Sequence, residues 1–287
     1  MGTSFGYKVM TGVLRLTKHR NKMIADAARG EQRNTLPPKK YAARWRREEF
    51  EGRAIWICVP KSGTTDNVYV HQHGGGFVYG LMALHYMSLS ELADHAGLTV
   101  IMPDYPLPPD AHARDIIGWA DRHFESCIDC YGLQNVSLGG DSAGANLSLA
   151  ILQTRAGRGD PNPETVILWS PWLDLTGPKD FTKADDYGVV ITPFGLEPAV
   201  SGYLGDMDRD DPLISPLFAD VSKLPALHIV AGAKDVLYPP AQDFAEKADA
   251  AGKLASLTVE PNYGHYWMFY PMSDRHRTLK QIAGMLR

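Results

Sequence analysis

The run "GGDSAGANL" sets Ser142 between Gly140 and Gly144, in the pattern Gly-x-Ser-x-Gly. A serine hydroxyl is a weak nucleophile until a neighbouring base takes its proton. The chemistry such a residue offers is acyl transfer: attack on a carbonyl, a tetrahedral oxyanion, then loss of the leaving group. That reaction also needs N–H donors aimed at the oxyanion. A second stretch, "HQHGGGFVYG" from His71 to Gly80, holds three consecutive glycines. Fixing glycine costs conformational entropy, so a triple needs a reason. Two reasons compete. His71 and His73 could ligate a metal, or the bare backbone of Gly74 and Gly75 could come close to a reacting carbonyl. No third ligand at a sensible spacing accompanies the two histidines. That favours the backbone reading, with no metal and with His73 bracing the loop. The serine pattern alone is weak, occurring by chance roughly once in ten chains of this length.

The surrounding elements strengthen it. From Ala54 onward, strand-like and helix-like runs alternate. "AIWICV" and "NVYVHQ" read as strands, rich in β-branched and aromatic residues. "LMALHYMSLSELADHAG" reads as a helix closed by Gly97. "LTVIMP", "NVSLGG", "TVILWS", "PALHIVAG" and "LASLTVEP" are further strands. "DIIGWADRHFESCIDCYG", "AGANLSLAILQTRAG", "PPAQDFAEKADAAG" and "RHRTLKQIAGMLR" are helices, the third with prolines at its start and glycine at its end. Such alternation predicts a mostly parallel sheet covered by helices on both faces. One segment breaks the rhythm. Between Thr176 and Asp211 the chain is rich in Gly, Asp and Pro and shows no clear strand. A long insertion in a compact domain is often an active-site lid.

Ser142 therefore falls between a strand and a helix, the setting of a nucleophile elbow. There the hydroxyl meets a helix N-terminus, whose dipole and free N–H groups favour negative charge. In α/β-hydrolases the serine is followed along the chain by an acid and then a histidine. Of ten histidines only His228, His265 and His276 follow Ser142. His228 falls within a predicted strand and His276 starts the last helix. His265 follows a predicted strand and is the expected base. Asp235, just after the preceding strand, is the expected acid. Both sit where ligand loops occur in an open parallel sheet. The plainer readings are Asp235 as a turn or N-cap residue and His265 as a packed loop histidine. One oxyanion donor in such enzymes is the residue after the serine, here Ala143. The others come from an HGGG-type loop, which nominates Gly74 and Gly75. Phe77, Tyr203, Tyr266 and Trp267 are candidates to line an apolar substrate pocket, or else core residues.

Composition narrows the class. The chain has 287 residues, 44% hydrophobic and 22% charged, enough for a sizeable core. A net charge of −4 does not suggest a nucleic-acid partner. Cys58, Cys127 and Cys130 are too few for a disulfide framework, and the Cys127/Cys130 pair reads as small hydrophobes near a helix end. Lys8, Arg15, Lys18 and Arg20 interrupt any signal-peptide core, and "MGTSFG" misses the myristoylation pattern at Gly6. No apolar run has transmembrane length. A cytoplasmic protein is expected. Val9, Met10, Val13, Leu16 and Ile24 recur with a rough helical period: a packed helix, a lid helix or a membrane-surface helix.

The motifs "HGGGF" (73–77), "DYPLPPD" (104–110), "GDSAGANL" (140–147), "SPWLDLT" (170–176), "DPLISPLF" (211–218), "AGAKDVL" (231–237) and "YGH" (263–265), in this order, resemble the hormone-sensitive-lipase-like family of α/β-hydrolase esterases. The resemblance runs from about Ala54 to the C-terminus. It implies an α/β-hydrolase fold: an eight-stranded, mostly parallel sheet with helices on both faces and a small helical cap. The cap would come from residues 1–40 and an insertion at about 176–210, with residues 41–287 as the catalytic domain. The resemblance also implies hydrolysis of small-molecule carboxylic esters, usually short-chain, with no cofactor. Amide or carbamate hydrolysis at the same site, or a non-catalytic binding protein on this fold, are the alternatives; His265 speaks against the latter. An edge strand or the last helix offers a surface for a homodimer. Three departures stand out. Pro106 replaces an arginine usual in the family, so an ionic brace is missing or rebuilt. Ala145 replaces a glycine in the elbow. Tyr238, Pro239 and Pro240 stand where an acidic residue often follows the acid motif.

Overall fold

The computed structural model of the chain describes residues 5–16, 25, 34–177 and 196–286. Its strands are β1 (Trp45–Phe50), β2 (Arg53–Cys58), β3 (Val68–Gln72), β4 (Thr99–Pro103), β5 (Val136–Asp141), β6 (Val166–Trp169), β7 (Leu227–Gly232) and β8 (Leu254–Glu260). The helices are α1 (Phe5–Leu16), α2 (Lys39–Ala42), α3 (Ala83–Ala96), α4 (Ala113–Tyr131), α5 (Ala143–Arg158), α6 (Glu197–Leu204), α7 (Tyr238–Ala250) and α8 (Ser273–Met285). The strands form one sheet in the order β1-β2-β4-β3-β5-β6-β7-β8. Only β2 runs against the others, pairing antiparallel with β1 and β4. All remaining pairs are parallel. This is the expected α/β-hydrolase fold.

Burial explains the sequence patterns. β3, β4 and β6 are buried at every residue. Continuous apolar runs are what a strand covered on both faces requires. Helices α3 and α8 pack together, as do α4 and α5. Gly97 closes α3 in a left-handed conformation at φ 69°. Pro239 and Pro240 lie in the first turn of α7, which accounts for the prolines after the acid motif.

β1 is the strand that the residues did not announce. "WRREEF" has no alternation and no β-branched residue. Its register from Trp45↔Cys58 to Phe50↔Arg53 closes a hairpin through Glu51 and Gly52, both at positive φ. Two such residues match the twist of antiparallel strands. The strand lies at the sheet edge with four consecutive exposed residues. Charges there oppose pairing with another chain.

Of the two expected cap segments, α1 and α6 are described. Residues 1–4, 17–24 (with the expected apolar Ile24), 26–33 and 178–195 lie outside the described residues. Among the described residues no helix is long and apolar enough to cross a membrane.

Candidate active site

The elbow comes first. β5 ends at Asp141, α5 begins at Ala143, and Ser142 between them holds φ 53° and ψ −115°. A non-glycine residue in that region carries a strain of about 1–3 kcal/mol and needs support. Ser142 N–H donates to Trp169 O at 2.9 Å, and Ser142 O accepts from Trp172 N–H at 3.1 Å and Asn146 N–H at 3.2 Å. The turn is tight because α5 comes very close to β3. A Cβ on Gly144 would lie 2.0 Å from Gln72 O. Ala145, one residue further, is accommodated in full burial.

The loops after β7 and β8 bring Asp235 and His265 to this serine. His265 Nε2 lies 3.1 Å from Ser142 Oγ. His265 Nδ1 lies 2.7 Å from Asp235 Oδ2. An ionised carboxylate only accepts, so Nδ1 carries the hydrogen and Nε2 is left free to take the serine proton. Asp235 Oδ1 accepts from Leu237 N–H at 3.0 Å. The two readings of Asp235 thus merge: one oxygen pins the turn, the other orients the imidazole. All three side chains are nearly buried.

The glycine loop departs from expectation at one donor. Gly74 N–H points at Asp141 Oδ1, 3.0 Å away, and is spent inside the protein. Gly75 and Ala143 carry N–H groups with no acceptor among the described residues. Gly75 has φ 121°, and a Cβ there would lie 2.3 Å from Tyr79 O, so no other residue fits.

Asp141 is a hub that motif reading passed over. It also receives His71 Nε2 at 2.8 Å, with His85 Nε2 at 3.5 Å. It is fully buried. Burial alone would raise its pKa, but His85 and the hydrogen bond from His71 outweigh that and hold it below the usual carboxylate range. Burial lowers the pKa of His71, which fits a neutral ring donating from Nε2 and accepting the Tyr69 hydroxyl at Nδ1, 3.2 Å away. His73 turns elsewhere. Its Nδ1 bonds Gly74 O at 2.8 Å, its ring stacks on Tyr105 at 4.1 Å, and Tyr105 Oη donates to His73 O at 2.6 Å. Burial pushes His73 down to about 3, so it is neutral. Among the described residues no group of three His, Cys, Asp or Glu side chains is placed to hold a metal ion.

Asp141→Asn is expected to lower the unfolding free energy at pH 7 by about 3 kcal/mol, because two buried donors, Gly74 N–H and His71 Nε2–H, lose their shared anionic acceptor. Asp141 has a depressed pKa, so its contribution is present above about pH 4 and fades as the pH falls below that. Urea midpoints of the two proteins should therefore differ at pH 7 and converge in acid. Equal midpoints at pH 7 would refute the hub.

The other expected residues separate. Phe77 stacks face to face on Tyr203 of α6, 3.7 Å between centroids, tying the glycine loop to the insertion. Tyr266 lies beside His265, with ring centroids 4.2 Å apart. Trp267 is wholly buried, and its indole N–H donates to Thr278 Oγ1 of α8 at 3.3 Å. The arginine missing at Pro106 has a substitute. Arg53 on β2 donates from Nε to Asp104 O at 2.8 Å and approaches the Asp104 carboxylate at 3.5 Å. Tyr7 of α1 was not anticipated either. Its Oη accepts from Gly264 N–H at 2.6 Å, next to His265. No local pattern marks Tyr7 or Arg53. Asp141 and His85 had a signal, an acid and a histidine inside apolar runs, which is costly unless they are paired.

Residues 69–269 match a family model described as the alpha/beta hydrolase fold. A triacylglycerol lipase of Mycobacterium tuberculosis is 29% identical over 76% of this chain and 46% of its own length. This chain thus spans about half of that relative. An acetyl-hydrolase of Streptomyces hygroscopicus is 31% identical over 80% of this chain and 78% of its own. A crystal structure of an esterase from the bacterial hormone-sensitive lipase family superposes with a TM-score of 0.79 at 26% identity, covering 94% of this chain and 97% of that one.

Proposed function

Because the chain belongs to the α/β-hydrolase family, in its hormone-sensitive-lipase-like esterase branch, we propose that it is a serine carboxylesterase acting on short acyl esters, acetyl to about hexanoyl. The observation that carries this is the unbroken relay from Asp235 through His265 to Ser142, at 2.7 and 3.1 Å.

The geometry supports the following steps. His265 Nε2 takes the Ser142 proton as Oγ attacks the ester carbon. Asp235 stabilises the imidazolium and keeps its orientation. The carbonyl oxygen becomes an oxyanion beside the N–H groups of Gly75 and Ala143, the latter at the positive end of α5. His265 returns its proton to the alcohol, leaving an acyl-serine. Water then repeats the sequence, with His265 again as base, and frees the acid.

Two observations support short chains. The Phe77–Tyr203 stack joins the glycine loop to α6 through two wholly buried rings. The Streptomyces relative that aligns over most of both chains is named an acetyl-hydrolase.

A series of p-nitrophenyl esters from acetate to palmitate tests the proposal. The ratio kcat/KM should peak between acetate and hexanoate and fall at least about tenfold by dodecanoate, because added methylenes find no apolar room. A maximum at long chains would overturn the short-acyl reading. No hydrolysis of any ester, with no labelling by a fluorophosphonate, would overturn the esterase itself.

A further inference from the structure

Tyr266 carries two costs that the triad does not explain. Its backbone is left-handed, φ 65° and ψ 14°, uncommon for a bulky residue. Its hydroxyl is buried, yet neither it nor Asp141 Oδ2 has a hydrogen bond of regular geometry among the described residues. A buried hydroxyl left so costs about 1–3 kcal/mol. Strained backbone of this kind collects at functional sites.

The strain puts the phenol in a particular place. The point where a Cβ on Gly74 would sit is 2.2 Å from Tyr266 Oη and 2.1 Å from Asp141 Oδ2. The phenol thus fills the hollow beside the glycine loop. It is near enough to interact with both the Asp141 carboxylate and the Ser142 hydroxyl. The T-shaped contact with Phe269, 5.4 Å between centroids, and the contact with His265 hold the ring. The N–H of that same Gly74 is bonded to Asp141 Oδ1.

We propose that the Tyr266 phenol is a side-chain donor of the oxyanion hole, supplying the hydrogen bond that Gly74 gives to Asp141 instead. The inference rests on the esterase reading above. At rest the O–H leans toward Asp141. As the tetrahedral intermediate forms, it turns to the new oxyanion. The proton stays on the phenol throughout, so no bond to Tyr266 forms or breaks. Burial and the neighbouring Asp141 charge raise the phenol well above its ordinary pKa, so it remains a donor across any working pH.

The test compares the parent protein with Tyr266→Phe and Tyr266→Asn on p-nitrophenyl butyrate. Phenylalanine removes one oxygen only, and asparagine suits a left-handed backbone. Loss of one oxyanion donor should lower kcat about 100-fold in both variants, with KM within about twofold of the parent. The acid limb of the kcat/KM pH profile should not move, because the His265–Asp235 pair is kept. The melting temperature of Tyr266→Phe should stay close to the parent's because the ring is kept, whereas Tyr266→Asn, which loses the ring, should melt lower. Three results would overturn the donor role: Tyr266→Phe turning over within about threefold of the parent, a rise in KM that matches the loss in kcat/KM, or a displaced acid limb. The parent protein separates this inference from the esterase reading. An active parent with an active Tyr266→Phe removes the donor alone, whereas an inactive parent removes both.

Discussion

Ser142→Ala is expected to lower kcat about a million-fold while leaving the fold intact. The activity argument is that His265 and Asp235 have no work without a hydroxyl to deprotonate, so the three act as one unit. What remains would come from binding and from the N–H groups of Gly75 and Ala143. The stability argument is equally specific. Ser142 already carries a Cβ at φ 53°, so alanine adds no backbone strain. The supporting bonds to Trp169, Trp172 and Asn146 all use backbone atoms of residue 142 and survive. The contacts of the hydroxyl with His265 and with the Tyr266 phenol are lost, a net of about 1 kcal/mol. The measurement is turnover of p-nitrophenyl butyrate beside a melting curve, with fluorophosphonate adducts read by mass spectrometry. Turnover within about tenfold of the parent, or an adduct on another residue, would place the nucleophile elsewhere.

Asp235→Asn is expected to lower kcat by about 10⁴, again with little loss of stability. Asparagine can keep its carbonyl oxygen toward Leu237 N–H, so the turn holds. Its amide then faces His265 Nδ1 with hydrogens instead of lone pairs. Two donors cannot share a hydrogen bond, so the ring adopts the other tautomer. Nε2 then carries a hydrogen toward Ser142 Oγ and can no longer accept one. The developing imidazolium also loses its counter-charge. Should Asp235→Asn retain a tenth or more of the parent's kcat, Asp235 would be a turn residue and nothing further, the role its bond to Leu237 already fills.

These expectations draw unequally on local pattern. The serine, acid and histidine were legible because each lies at a strand end, and strands announce themselves through runs of apolar residues. Phe77 was legible as an aromatic next to the glycines, but its partner Tyr203 is 126 positions away in the chain and stood only as a separate candidate. Trp267 shows what pattern leaves open. It is two residues from His265, but a short turn rotates it into the core against α8. β1 was hidden because an edge strand of charged residues has no apolar face to display. The brace from Arg53 was hidden because its partners, Asp104 and Tyr105, lie about fifty residues further on.

By itself, then, the sequence determined a mostly parallel sheet covered by helices, the order of the candidate site residues and the glycine loop among them. Those rest on periodicity, glycine and chain order, all of them local properties. Only the tertiary structure decided which donors of that loop are free. A backbone N–H bonds to whichever acceptor comes nearest, and for Gly74 that acceptor is Asp141, 67 positions along the chain. The parallel pairing of β3 with β5 makes them neighbours. That pairing sets His71 beside the buried carboxylate, while α3 brings His85 and the loop after β8 brings Tyr266, and no reading of adjacent residues contains that charge.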